Sequence, residues 1–132
     1  MFYTVAIHKD EDSDYSVTVP DIPGCFSAGV TIEKALREAA EAIQGHLGIL
    51  AEDGENIPVP GDMLEHQANP DFKDAVWCGV SVDITPYLGK TEKINVTLPT
   101  LISAKIAQAG IGNRSAFLAE AAAEKLAREY AN

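Results

Sequence analysis

The chain has 132 residues, 46% hydrophobic and 23% charged, a globular composition that suits one ordinary domain or two small ones and excludes a disordered protein. No apolar run approaches the ~20 residues of a membrane span, and the first ten residues lack a basic segment followed by an apolar stretch, so a cytoplasmic protein without membrane contact is expected. A net charge of -10 looks hostile to polyanions, and Cys25 and Cys78 are too far apart for a Cys-x-x-Cys redox or zinc pair.

Residues 2–8 alternate Phe2, Thr4, Ala6, His8 with Tyr3, Val5, Ile7, a period-two pattern rich in aromatic and β-branched types that predicts a strand. The polar segment 10–14 is a turn, and 15–19 resumes the alternation, making a hairpin. Pro20, Pro23 and Gly24 stop the second strand, and 25–28 form a third. Thr31 is a good N-cap for a long helix whose stripe is Ile32, Ala35, Leu36, Ala39, Ile43, Leu47 and Leu50. That helix should end near 52–54. Residues 55–74, with Pro58, Pro60, Gly61 and Pro70, read as an irregular connection. Residues 76–85 give a fourth strand, with Val76, Cys78, Val80, Val82 and Ile84 on one face and Trp77, Ser81 and Asp83 on the other. The order predicts an α+β unit, residues 1–87, in which one helix covers one face of a largely antiparallel sheet.

Residues 86–91 form a short hinge at which the charge changes sign. Residues 1–89 carry sixteen acids against four bases, net -12, and residues 90–132 carry six bases against four acids, net +2. Such asymmetry suggests two partners, one basic and one polyanionic, although acids also serve solubility.

The second unit, 92–132, opens with E-K-I-N-V-T-L, an alternating strand that Pro99 ends. Ile102, Ile106 and Ala109 mark a helix over 100–109, closed by Gly110. Asn113 caps a second helix with the stripe Phe117, Leu118, Ala121, Ala122 and Leu126. A lone strand and two short helices bury too little surface to stand alone. Pairing with a second copy solves this. Ile94, Val96 and Leu98 then turn into a shared core, while Lys93, Asn95 and Thr97 face outward to read base edges in the major groove. Asn113, Arg114 and Ser115, at the start of the last helix, form a phosphate clamp.

The strand K-I-N-V-T-L-P, the glycine-ended helix and the G-N-R-S start of the next one together resemble the ribbon-helix-helix superfamily of bacterial repressors. Many members carry more positive charge on the ribbon than one lysine. A dimerisation module without DNA contact and a helix-turn-helix are the alternatives, the latter leaving the alternating strand unexplained.

The stretch V-P-D-I-P-G-C-F-S-A-G, followed by T-I-E-K-A-L-R-E-A-A-E-A-I, resembles the HicB family of antitoxins over residues 2 to 50. The resemblance implies a reduced ribonuclease H-like fold in the first unit. It also implies a small basic RNA-cleaving partner, HicA, whose active site that unit covers, and repression of the shared operon by a homodimer or higher oligomer. A free-standing ribbon-helix-helix regulator with a sensing or protein-binding first domain is the alternative. Nuclease activity needs converging carboxylates, but Asp10, Glu11, Asp12 and Asp14 fall in a loop and Asp21 between prolines, leaving Asp83 alone in a strand. His8, His46 and His66 show no ligand spacing. The sequence reads as a non-enzyme without cofactor or metal.

Overall fold

The computed structural model describes residues 1–130. Strand β1 (Phe2–Lys9) runs inside an antiparallel sheet of four, between β2 (Tyr15–Thr18) and β4 (Val76–Ser81), with β3 (Phe26–Gly29) beyond β2. The period-two pattern places Tyr3, Val5 and Ile7 on the core side together with Val17 and Val80, all buried. Register follows from this. Ile7 stands opposite Val17 on one side and Val76 on the other.

Helix α1 (Ile32–Glu52) closes that side of the sheet. Thr31 Oγ1 accepts the amide of Lys34 at 3.1 Å, the expected cap. Ala35, Ala39, Ile43 and Leu47 form the buried row, one turn apart. Full burial of Ile43 and Leu47 stabilises the fold by roughly 1.5–3 kcal/mol each. Gly29 lets the helix approach closely, because a Cβ there would lie 2.5 Å from the Ala35 amide nitrogen.

Two boundaries differ from the sequence reading. Cys25 belongs to the turn before β3: its amide donates to the Ile22 carbonyl and its carbonyl accepts from Val19, both at 3.1 Å. Its thiol, fully buried, is pushed above the usual range by desolvation. β4 ends at Ser81 rather than at residue 85. Val82 still donates to Met1 O at 2.9 Å, but Asp83 Oδ1 accepts the amide of Thr85 at 3.0 Å and turns the chain into a 3-10 turn, Thr85–Tyr87. That backbone hydrogen bond holds the Asp83 carboxyl below its ordinary value.

The connection after α1 is more ordered than expected. It contains α2 (Met63–Ala68), capped by Asp62 on Leu64 N at 2.9 Å, and a 3-10 turn, Pro70–Phe72, capped by Asn69. Six residues are too few to show a helical period among prolines. This segment packs on the sheet face opposite α1. Trp77 points to that face, with Phe72 against it edge-on at 5.6 Å between ring centres, and Ala6 and Thr4 are buried there. The second side of the sheet is therefore covered in part, around Trp77, rather than left open, while Phe2 and Phe26 stay exposed there.

After a loop come α3 (Thr100–Gln108) and α4 (Arg114–Tyr130). Gly110 ends α3 in the left-handed region, φ 72°. Asn113 Oδ1 caps α4 on the Ala116 amide at 3.0 Å.

Gly29→Ala should lower stability by about 1–3 kcal/mol through overpacking. Gly45→Ala, on the exposed side of α1 with open space around it, should raise it by up to roughly 1 kcal/mol. Urea unfolding of both variants checks the pair.

Candidate partner and nucleic-acid interfaces

All acids of the first 87 residues except Asp21 are exposed. Asp10, Glu11, Asp12 and Asp14 are all exposed in the loop between β1 and β2. Glu33, Glu38, Glu41 and Glu52 line the outer side of α1. Of these, Glu33 meets Arg37 at 3.5 Å across one turn, an exposed pair that neutralises little.

The tail departs from the sequence reading in one respect. Residues 93–98 form no strand ladder within the single chain, because β character needs a neighbour and the described chain offers this segment none. Lys93, Asn95 and Thr97 are exposed as expected. Ile94 and Val96 are also exposed, at 71% and 61%. Leu98 is half-buried. Leu101, Ile102, Phe117 and Leu126 are exposed as well. Asn113, Arg114 and Ser115 are exposed at the start of α4, where the first amides of a helix lack intrahelical acceptors.

Helix α4 has a second side that the sequence reading missed. Ala116, Ala119, Glu120, Ala123 and Ala127 are half-buried at helical spacing. Ala123 packs against the core of the first unit, and Glu120 forms an ion pair with the α-amino group of Met1. Small residues there read as neutral filler in a sequence, although their spacing of three and four was the available signal.

A buried polar pair was also missed. His66 Nε2 donates to Asp21 Oδ1 at 2.9 Å, across 45 positions of sequence. The Asp21 side chain is 10% exposed, and its Oδ2 has no partner among the described residues. Gly61 makes room, since a Cβ there would lie 3.0 Å from Asp21 Oδ1. His66 stacks on Trp77 at 6.3 Å between ring centres. Close by, the Tyr3 hydroxyl donates to Pro58 O at 2.7 Å. Burial, then the charges of Asp21 and Glu120, raise the Tyr3 phenol well above its ordinary value. These bonds tie the 20–23 turn and the connection after α1 to the sheet.

Among the described residues, no three His, Cys, Asp or Glu side chains converge to hold a metal ion. No helix there is long and apolar enough to cross a membrane.

A four-stranded sheet under one long helix, an acidic surface and a helical tail with exposed apolar groups define an α+β protein with a separate helical tail. The family model of the HicB-like antitoxins of bacterial toxin-antitoxin systems matches residues 3–122. The crystal structure of the Burkholderia pseudomallei antitoxin HicB is similar, with a TM-score of 0.77 and 44% identity, covering 96% of this chain and 98% of that one. A 14.9 kDa protein of the rep-hol intergenic region of Haemophilus phage HP1 is 40% identical over 131 residues, covering 96% of this chain and 98% of its own length. The structure of a HicA3 and HicB3 toxin-antitoxin complex contains a similar chain, with a TM-score of 0.54 and 30% identity, covering 63% of this chain and 99% of that one. The chain belongs to the HicB-like antitoxin family.

His66→Ala should cost about 1–3 kcal/mol, because it leaves a desolvated carboxylate with no donor. The double variant Asp21→Ala/His66→Ala should cost less than the sum of the two single changes, as thermal unfolding will show.

Proposed function

We propose that this chain neutralises a small, basic, HicA-like RNA-cleaving toxin through residues 1–87 and represses its own operon through residues 92–132, acting as a cytoplasmic homodimer without enzymatic activity or cofactor. Dimers of such dimers are compatible with the same surfaces. The observation that carries this reading is the apolar surface of the tail. Ile94 and Val96 stand out in solvent at 71% and 61%, on the alternating segment that a second copy would complete as a ribbon.

In the paired state Ile94, Val96 and Leu98 enter a shared core. Lys93, Asn95 and Thr97 of both chains then face a major groove, where lysine donates to guanine and asparagine pairs with adenine. Arg114, Ser115 and the amides near Asn113 hold phosphates beside the groove. The opposite charge of the first unit, -12 over residues 1–89, speeds encounter with a basic toxin and repels RNA. The similar chain seen with a HicA3 toxin supports the choice of partner.

Three measurements test it. Light scattering should give a dimer for the chain and a monomer for Ile94→Asp/Val96→Asp. Asn95→Ala should relax preference at one base pair by roughly 1–3 kcal/mol, and Arg114→Ala should weaken binding to every sequence and reduce the salt slope by about one. A folded dimer whose promoter binding ignores salt and both substitutions would end the repressor reading. Co-expression with the small protein encoded by the adjacent gene should restore growth, and failure to do so would favour a free-standing regulator.

A further inference from the structure

The sheet has two outer strands, and their outward side chains differ. On β4, Trp77 is engaged by His66 and Phe72. On β3 the sequence F-S-A-G runs on into Val30, and burial alternates along it. Ser27 turns inward, its Oγ donating to Ala35 O at 2.8 Å, and Gly29 is buried under α1. Phe26, Ala28 and Val30 face solvent, Phe26 at 64% and Val30 at 69%.

Strand edges are normally guarded by lysine, proline or a bulge, because their unpaired amides and carbonyls invite another chain. Residues 26–30 contain no such guard. Backbone parity shows what is on offer. Cys25 faces β2, since its carbonyl accepts from Val19 N. Alternation in an antiparallel pair turns Ser27 and Gly29 the same way. The amides and carbonyls of Phe26 and Ala28 therefore point away from the sheet.

Charge identifies the visitor. Tyr15 pairs with Gly29, so the loop carrying exposed Asp10, Glu11, Asp12 and Asp14 stands at the end of β3. Lys9 is folded onto that loop, its Nζ on Asp10 O at 3.2 Å and Ser13 O at 2.9 Å, and the other base beside β3, Lys34, has its backbone against Gly29 at the far side of the helix start. An extended segment with apolar and basic side chains matches this edge. A second copy matches it poorly, since it would bring two strongly acidic units together.

We infer that β3 is the toxin-docking strand: a basic, extended segment of the toxin adds beside it as a fifth strand, its apolar side chains on Phe26, Ala28 and Val30 and its cations over the 10–14 loop. This rests on the antitoxin reading above.

The test uses the full chain and the purified small protein encoded by the adjacent gene. Residue-resolved hydrogen exchange should show the amides of Phe26 and Ala28 exchanging freely in the antitoxin alone and protected in the complex. Phe26→Lys/Val30→Lys should weaken binding at least about tenfold, whereas Leu64→Lys, at an exposed apolar site on α2, should not. Unprotected amides at Phe26 and Ala28 in the complex would overturn the inference, and so would a folded double variant that binds within about twofold of the parent. If the double variant does not fold, the exchange result on the unaltered complex decides. Protection at β3 that grows with concentration in the absence of toxin would assign the edge to a second copy instead. Failure of the unaltered chain to bind the toxin at all would remove the antitoxin reading itself, and this inference with it.

Discussion

The close approach of Gly29 to the backbone of Ala35 sets the position of α1 on the sheet, and most of the first unit follows from it. With the helix seated at that distance, Ala35, Ala39, Ile43 and Leu47 meet the core side of β1 and β2. The same seating decides where α1 releases the chain. Residues after Glu52 must then pass the end of the sheet, where Tyr3 holds Pro58, before they reach the opposite face. A side chain at residue 29 would lift the helix and loosen this whole sequence of contacts.

The second cover, α2 with the 3-10 turn after it, is fixed by polar chemistry as much as by apolar area. Trp77 supplies the surface, and the Asp21 to His66 hydrogen bond supplies the register. A hydrogen-bonded pair at this depth contributes modest net stability, but leaving either partner alone is costly. The pair therefore specifies an arrangement more than it strengthens one.

Local signals in the sequence were readable because their causes are local. Alternation marks β1, Thr31 caps α1, Gly110 ends α3 and Asn113 starts α4, each through atoms within a few residues. The Asp21 to His66 bond spans 45 positions and leaves no periodic trace, and α2 is too short to have one. Residues 93–98 show the converse. Their alternation is plain, yet a strand exists only as half of a pair, so within one chain they form no ladder. For the candidate interfaces, residue type and exposure were legible at Lys93, Asn95, Thr97 and Arg114, whereas the unguarded edge of β3 needed the sheet order before it meant anything.

Helix α4 has a neighbour to satisfy, with Ala123 packed against the core of the first unit and Ala127 beside it, while Phe117 and Leu126 are left open. Its tail is consequently not a freely exchangeable part. Grafting the last forty or so residues onto a different antitoxin head would transplant the 93–98 segment and both helices intact, but would seat them badly unless the recipient supplied a surface shaped for Ala123 and Ala127 and a cation opposite Glu120. Recombination between relatives should therefore exchange whole chains, or break within α4's two-sided contact only where both sides change together.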